Sequence, residues 1–363
     1  MRITQEMSQA ITGALSGISV SQIRFPPLAI ICPCGGPLII IHPSIDFQQS
    51  MSNDSALHRK IKCKERGASN MFERLQVQSR SPFEIHDILR GLENAPETMV
   101  ESELYLPEGD GPFGCVMALH GSMGWAPHHQ DHIEAWLDAG LAVCKVNSFI
   151  SRSIDSTVDD QLSVTHAMML VDAFMTRSLL ENDPRIGKIG ISGWSLGGTV
   201  ALYSAWSPIS EKLGAPFDAH LPFYPAAHLR PEVQQWSHAP LLILHGDADD
   251  WTPLHFVEGI MAQLPNATLH TYHGAHHSFD SEKEYTWLPK AVHLNKRTVR
   301  IAKSGHMSGE LFLGIRWPLN TRWQRRWVIR ILRNRGAHVK GMESARLDSL
   351  DRAKAFLVDH LSA

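Results

Sequence analysis

From about residue 100 onward, short apolar runs alternate with longer stretches whose apolar positions recur every three to four residues. The first kind predicts buried strands and the second amphipathic helices. Residues 113–119 (FGCVMAL) are the first clear strand, 131–139 a helix stopped by Gly140, and 141–146 the next strand. A long helix is expected over 158–180, where Ala167, Leu170, Val171 and Phe174 share a face. A strand at 185–192 and a helix at 196–205 come next, then strands at 217–224, 240–244 and 267–272. A helix at 255–264 separates the last two strands. A final helix at 345–361 carries Leu350, Ala353, Leu357 and Leu361 on one face. This alternation predicts an α/β protein with a mostly parallel sheet covered by helices on both faces. Ligands bind at the carboxyl ends of such strands. The loops after Leu119, Ser192, Leu244 and Tyr272 are therefore where chemistry is expected.

Two stretches break the pattern. Residues 1–70 mix Ser, Gln, Pro and Gly around a short apolar patch without a sustained period, and read as a poorly ordered leader. Met71 opens a more regular stretch, so 71–363 is taken as the main domain. Residues 283–343 interrupt it as an insertion rich in Arg, Lys and Trp. Its Lys296, Arg297, Arg300, Arg316, Arg322, Arg325, Arg326, Arg330, Arg333 and Arg335 read as a solvated basic face, or as attraction for an acidic substrate or partner. Trp317, Trp323 and Trp327 are expected to pack the insertion onto the core, or else to wall a pocket.

Composition changes little. With 43% hydrophobic and 20% charged residues, a 363-residue chain has the make-up of a soluble globular protein. A formal net charge of -3 makes no whole-chain case for nucleic acid or an anionic membrane as partner. No apolar run is long enough to span a bilayer, because 27–41 is broken by Pro33, Gly35, Gly36 and Pro37. That stretch also lies too far from Met1 for an ordinary signal peptide. The five cysteines (Cys32, Cys34, Cys63, Cys115 and Cys144) form no disulfide framework and lean towards a reducing, cytoplasmic compartment.

The candidate chemistry begins at Gly193-Trp194-Ser195-Leu196-Gly197, followed by Gly198. A GxSxG sequence between a strand and a helix fits a nucleophile elbow, a sharp turn that needs small neighbours around a strained serine. The helix that follows aims its free N–H groups at the reacting carbonyl, so the Leu196 N–H is a candidate oxyanion donor. The His120-Gly121 turn supplies a second candidate donor at Ser122 or Met123. Serine needs a base to take its proton and a carboxylate to orient that base, in the chain order Ser, Asp or Glu, His. After strand 240–244, Asp247, Asp249 and Asp250 compete for the acid. After strand 267–272, His273, His276 and His277 compete for the base, with His277 first and His276 second. The remaining aspartates read as turn and capping residues, and the remaining histidines as exposed or supporting ones.

At these residues the chain resembles the dienelactone hydrolase family of α/β-hydrolases, over about 100–280 and again in the last helix. Gly246, Asp249 and Pro253 fit the family's Gly-x-x-Asp-x-x-x-Pro pattern, and His277 with Phe279 fits its His-x-Phe pattern. The segment Ser148-Phe149-Ile150-Ser151-Arg152 and the Arg335–Ala337 stretch are also similar to it. The resemblance implies an α/β-hydrolase fold, Asp249 as the acid and His277 as the base. Two positions depart from the name-giving enzymes: Ser195 stands where they carry cysteine, and Gly121 where they carry glutamate. Ester hydrolysis is therefore implied, and dienelactone is not. The GWSxGG elbow is also similar to that of polyester-cleaving hydrolases, though one tryptophan makes no case for a polymer.

A small-molecule ester is the expected substrate, with no cofactor. Trp125, Trp194 and Phe149 are candidate pocket residues. The same triad serves thioesterases, amidases and acyltransferases. A non-catalytic binding module would be marked by a missing triad member, and none is missing. His128, His129, Asp131 and His132 cluster beside the oxyanion turn. Adjacent histidines do not readily share one metal, so the cluster reads as a polar active-site rim or surface helix with no metal.

Overall fold

The computed structural model describes residues 72–294, 297–311, 315–332 and 334–362. The expected leader, with Cys32, Cys34 and Cys63, lies outside them, as do Lys296 and Arg333. An antiparallel pair, β1 (Phe72–Arg80) and β2 (Glu97–Tyr105), brackets helix α1 (Ile85–Arg90). The regular alternation follows: β3 (Phe113–Leu119), α2 (Pro127–Asp138), β4 (Ala142–Val146), α3 (His166–Leu180), β5 (Ile186–Trp194) and α4 (Leu196–Tyr203). Next come α5 (Ser207–Leu213), β6 (His220–Phe223), β7 (Leu229–Pro231), β8 (Leu241–Gly246), α6 (His255–Met261) and β9 (Ala267–Tyr272).

The main sheet runs β1-β2-β4-β3-β5-β6-β8-β9, and every pair from β4 to β9 is parallel. Strands β3, β5, β6 and β8 are apolar without alternation because both faces are covered. Helix α2 packs one face together with the final helix α8 (Glu343–Leu361), whose buried stripe is Ala345, Ser349, Ala353, Leu357 and Leu361. Helices α3 and α4 pack together with β1 and the side chains of α5 and α6 in the second core layer.

The stretch expected as an insertion holds short strands and one helix: β10 (Thr286–His293), β11 (Val299–Ile301), β12 (Met307–Glu310), β13 (Arg316–Pro318), α7 (Arg322–Leu332) and β14 (Asn334–Val339). Strand β10 pairs with β14, and β13-β12-β11 joins β7 in a second sheet.

Three expectations need correction. The helix drawn over 158–180 begins only at His166, where Thr165 caps it by accepting the Met168 N–H; Val164 and Leu162 are buried in the loop before it. The helix drawn from residue 131 starts a turn earlier, with Pro127 in its first turn. Strand β1 and most of β2 escaped the pattern because only alternate positions are buried and the intervening ones are polar. Among the described residues, no helix is long and apolar enough to cross a membrane.

Candidate active site

The turn between β5 and α4 brings backbones closer than a side chain tolerates. A Cβ at Gly193 would sit 2.5 Å from the Gly197 backbone, one at Gly197 2.3 Å from the Leu119 carbonyl oxygen, and one at Gly198 2.4 Å from the Phe223 carbonyl oxygen. Those neighbours are main chain of the sheet and of α4 and do not move aside. Gly198→Ala is therefore expected to cost about 2–3 kcal/mol of stability, read as a lower urea midpoint with unchanged slope.

Ser195 takes φ 54°, ψ -107°, a conformation that costs on the order of 1–3 kcal/mol for a residue with a Cβ. Hydrogen bonds hold it there. Its N–H donates to the Phe223 carbonyl (3.0 Å), and its carbonyl accepts from the Thr199 N–H (2.8 Å) and hydroxyl (3.0 Å).

His277 follows β9 and Asp249 follows β8. His277 Nε2 lies 2.9 Å from Ser195 Oγ, and Nδ1 lies 2.7 Å from Asp249 Oδ2. An ionised carboxylate only accepts, so Nδ1 carries the ring proton and Nε2 is left to accept from the serine hydroxyl. Asp249 also accepts from the N–H groups of Trp251 (2.9 Å) and Thr252 (2.8 Å) and from the Thr252 hydroxyl (2.8 Å). Burial pushes the Asp249 carboxyl up. The charge and hydrogen bond of His277, the His245 ring and the Thr252 N–H outweigh it, and hold the group below its ordinary value. His277 and Asp249 are buried, while Ser195 keeps 9% exposure, enough to be reached.

The competing residues lie elsewhere. His273 is exposed and pairs with Asp247 (2.8 Å), which also accepts the Gly274 N–H, closing the turn. Asp250 accepts from the His338 N–H (2.9 Å) and ring (2.7 Å). His276 faces Tyr285, with ring centroids 5.1 Å apart. The insertion buttresses the pair that does meet. Lys340 N–H donates to the His277 carbonyl (3.1 Å), and the Trp251 ring packs on His277 at 4.8 Å beside Ala291, Ala337 and Val339.

Gly121 lies against the elbow, its Cβ position 3.4 Å from the Trp194 carbonyl oxygen and 3.6 Å from Ser195 Cβ. Ser122 and Met123 line a small cavity with Trp194, Ser195 and His277. The Ser122 carbonyl is drawn away by the Thr157 N–H (2.9 Å) and the Ser156 hydroxyl (3.1 Å). In a trans peptide the next N–H, that of Met123, points the opposite way. Leu196 and Ser122 border a larger cavity of about 120 Å³ that reaches Ser195. Its other walls include Val164 and Phe256 from the core side and Leu294, Leu319 and Val328 from the insertion, with Arg297, Arg325 and His228 as polar points.

Two of the three expected pocket residues are not on either wall. Phe149 is buried in the core against the His120 ring, with centroids 4.2 Å apart. Trp125 is half-buried beside it, donating to Asn147 (2.7 Å), with Lys145 over its ring. Both pack against the His120 ring, next to Gly121. Trp194 lines the small cavity.

The histidine cluster is not on a surface helix, although His128 and His129 border the small cavity together with Ser195 and His277. His128, His129 and His132 are buried on α2, and the His129 ring stacks on Trp194 at 4.3 Å. They surround a residue that motif reasoning missed. Asp280, fully buried, accepts from Trp194 Nε1 (2.9 Å) and the Tyr224 hydroxyl (2.8 Å), with His132 at 3.4 Å and His128 at 3.8 Å. Burial pushes its carboxyl up, and these imidazoles more than reverse that, leaving it far below the ordinary range. Asp280 thus ties the residue before Ser195 to Tyr224, whose ring packs on His277 at 4.7 Å. The available signal was a carboxylate three residues past the base. Among the described residues, no group of three or more His, Cys, Asp or Glu side chains is arranged to hold a metal.

The insertion's basic residues are not all solvated. Arg325 is mostly buried and pairs with the buried Glu84 at 2.6 Å. Trp317 and Trp327 stack at 4.7 Å, whereas Trp323 stands out in solvent.

Buried imidazoles set an acid limit to stability. Burial lowers His120, His220 and His228 from 6.5 to about 4. Between those values the unfolded chain binds the extra protons, so stability is complete above about 6.5 and falls as the pH drops towards 4. Glu84, raised by burial to about 7, runs the other way, but is one group against three. The thermal midpoint is expected to fall from pH 7 to pH 4, as measured by circular dichroism.

Residues 146–300 match the dienelactone hydrolase family. No curated protein matches the chain. Among solved structures, Est1E from Butyrivibrio proteoclasticus is 17% identical over 51% of this chain and 88% of that one, with TM-score 0.40. The Pyrococcus furiosus esterase Pf2001 is 15% identical over 61% and 91%, with TM-score 0.42. The dienelactone hydrolase-like promiscuous phosphotriesterase P91 from metagenomic libraries is 15% identical over 80% and 99%, with TM-score 0.48.

Proposed function

From the match of residues 146–300 to the dienelactone hydrolase family, we propose that this chain is a serine hydrolase that cleaves carboxylic esters through an acyl-enzyme. One observation carries the assignment of roles: the unbroken chain from Ser195 Oγ to His277 Nε2 (2.9 Å) and from His277 Nδ1 to Asp249 Oδ2 (2.7 Å). Ser195 attacks the ester carbonyl as His277 takes its proton. Asp249 holds the ring's tautomer and stabilises the imidazolium. The N–H groups of Leu196 and Met123 hold the developing oxyanion, with Ser122 shaping the turn. His277 then returns the proton to the departing alcohol. Water, activated by the same ring, releases the acid. Residues 71–363 form one hydrolase domain, in which the 283–343 insertion closes the substrate cavity.

The substrate is a small-molecule ester whose acyl group enters the cavity beside Ser195. Val164, Leu196 and Phe256 meet Leu294, Leu319 and Val328 across it, so apolar acyl chains are favoured up to the length the cavity holds. Hydrolysis of p-nitrophenyl esters from acetate upward is expected to peak at one chain length. Val328→Trp should move the peak to shorter chains while sparing acetate. Folded wild-type protein inert towards every ester in the series would contradict the proposal and turn attention to thioesters and amides.

A further inference from the structure

Helix α7 reads RWQRRWVIRIL and carries no acidic residue. Turning about 100° per residue, it sets Arg322, Arg326 and Arg330 on one strip and Trp323, Trp327 and Ile331 on the strip beside it. Both strips face outward. The three arginines are exposed, and Trp323, Ile331 and Trp327 keep 66%, 52% and 37% of their surface in solvent. The opposite side of the helix is the inward one, where Val328 is buried and Arg325 pairs with Glu84. Exposed apolar side chains scattered singly over a surface are ordinary. Trp323 and Ile331 stand open in register along one helix, and Trp327 between them, stacked on Trp317, adds its outer edge; together they leave an apolar strip in water that a stable partner would cover at a gain.

The arginines say what kind of partner fits. We propose that α7 docks on an anionic phospholipid surface, with its indole rings at headgroup depth and its guanidinium groups on the lipid phosphates. The helix is about 16 Å long and offers apolar and cationic groups side by side throughout, which is the pattern of a helix lying in a bilayer interface. Arg322 also stands over the Phe83 ring at 5.2 Å. Arg326 and Arg330 border a depression with Asp159 and Asp160, and Lys290 lies 4.0 Å from Asp159. The two acids temper the basic strip without covering it. The formal net charge of -3 hides this local reversal of sign. Docking needs no catalysis. Because Val328 and Arg325 line the larger cavity from the same helix, it would also hold that cavity's outer wall against the lipid.

The test is flotation of the full chain with vesicles of phosphatidylcholine alone and of equimolar phosphatidylcholine and phosphatidylglycerol. Binding is expected on the anionic vesicles only, and should weaken as salt screens it. Arg326→Gln with Arg330→Gln should lower affinity about thirtyfold, roughly fivefold for each charge lost. Trp323→Ser with Ile331→Ser should abolish flotation, while circular dichroism melts confirm that both variants stay folded. The proposal is overturned if the wild type fails to float with anionic vesicles, or if flotation is indifferent to these substitutions. It is equally overturned if the strip instead mediates a lipid-independent dimer that Trp323→Ser with Ile331→Ser dissolves.

Discussion

Replacing Ser195 with alanine is expected to lower kcat on the best p-nitrophenyl ester by about 10⁶-fold while the protein stays folded. The magnitude follows from the role proposed for the hydroxyl. Ser195 Oγ is the atom that bonds to the acyl carbon, and no neighbour replaces it, because His277 Nε2 stands 2.9 Å behind it as base. Stability should rise slightly, if it moves at all. The residue sits at φ 54°, and the constraint belongs to the backbone and its glycines, so alanine inherits the strain but not the desolvated hydroxyl. His277→Ala should fall by a similar factor, and the double variant by little more than either single one, since the two groups act as a unit. Steady-state kinetics on the three variants would check this. Multiplicative losses would mean that the two side chains act independently.

Replacing Asp249 with asparagine is expected to lower kcat about 10⁴-fold with KM nearly unchanged. The two side chains have the same shape, so the loss isolates charge and proton position. Asp249 has every accepting site in use: Oδ1 takes the Trp251 and Thr252 N–H groups, and Oδ2 takes the Thr252 hydroxyl and the His277 Nδ1 proton. The two N–H donors fix the asparagine oxygen at the Oδ1 position. Its NH₂ group then faces His277 Nδ1 and must donate to it. The ring proton moves to Nε2, where it points at Ser195 and leaves no lone pair to receive the hydroxyl proton. Asp249→Ala should be as slow but also less stable, because it orphans buried donors. Equal activity of Asp249→Asn and wild type would place the acid elsewhere.

The parallel strands were the easiest elements to read, since β3, β5 and β8 are apolar on both faces and end in polar, glycine-containing loops. The GxSxG turn was equally plain, because its glycines are dictated by backbone contacts as short as 2.3 Å. The choice among three aspartates and three histidines was not settled by residue type. It depended on family patterns, and the distances that support it are long-range. The antiparallel edge was lost because β1 buries only alternate residues. The burial of the α2 histidines was missed for a simpler reason. His129, His132, Ile133, Trp136 and Leu137 form one buried helical face, and imidazoles were taken as polar when here they pack as flat rings against Trp194. Asp280 could not be paired in advance with Trp194 and Tyr224, which lie 86 and 56 residues away. Trp125 and Phe149 were expected in the pocket, but both pack against the His120 ring instead, a contact that residue type alone does not reveal.

Everything proposed for this site rests on Ser195 being a nucleophile activated by His277. Diisopropyl fluorophosphate tests it most directly, because attack by an activated serine oxygen on phosphorus expels fluoride and leaves a stable adduct that intact mass and peptide mapping locate. One adduct per chain is expected, on Ser195, absent from Ser195→Ala and formed far more slowly in His277→Ala. A folded wild-type protein that takes up no label, or one labelled equally in Ser195→Ala, would contradict it.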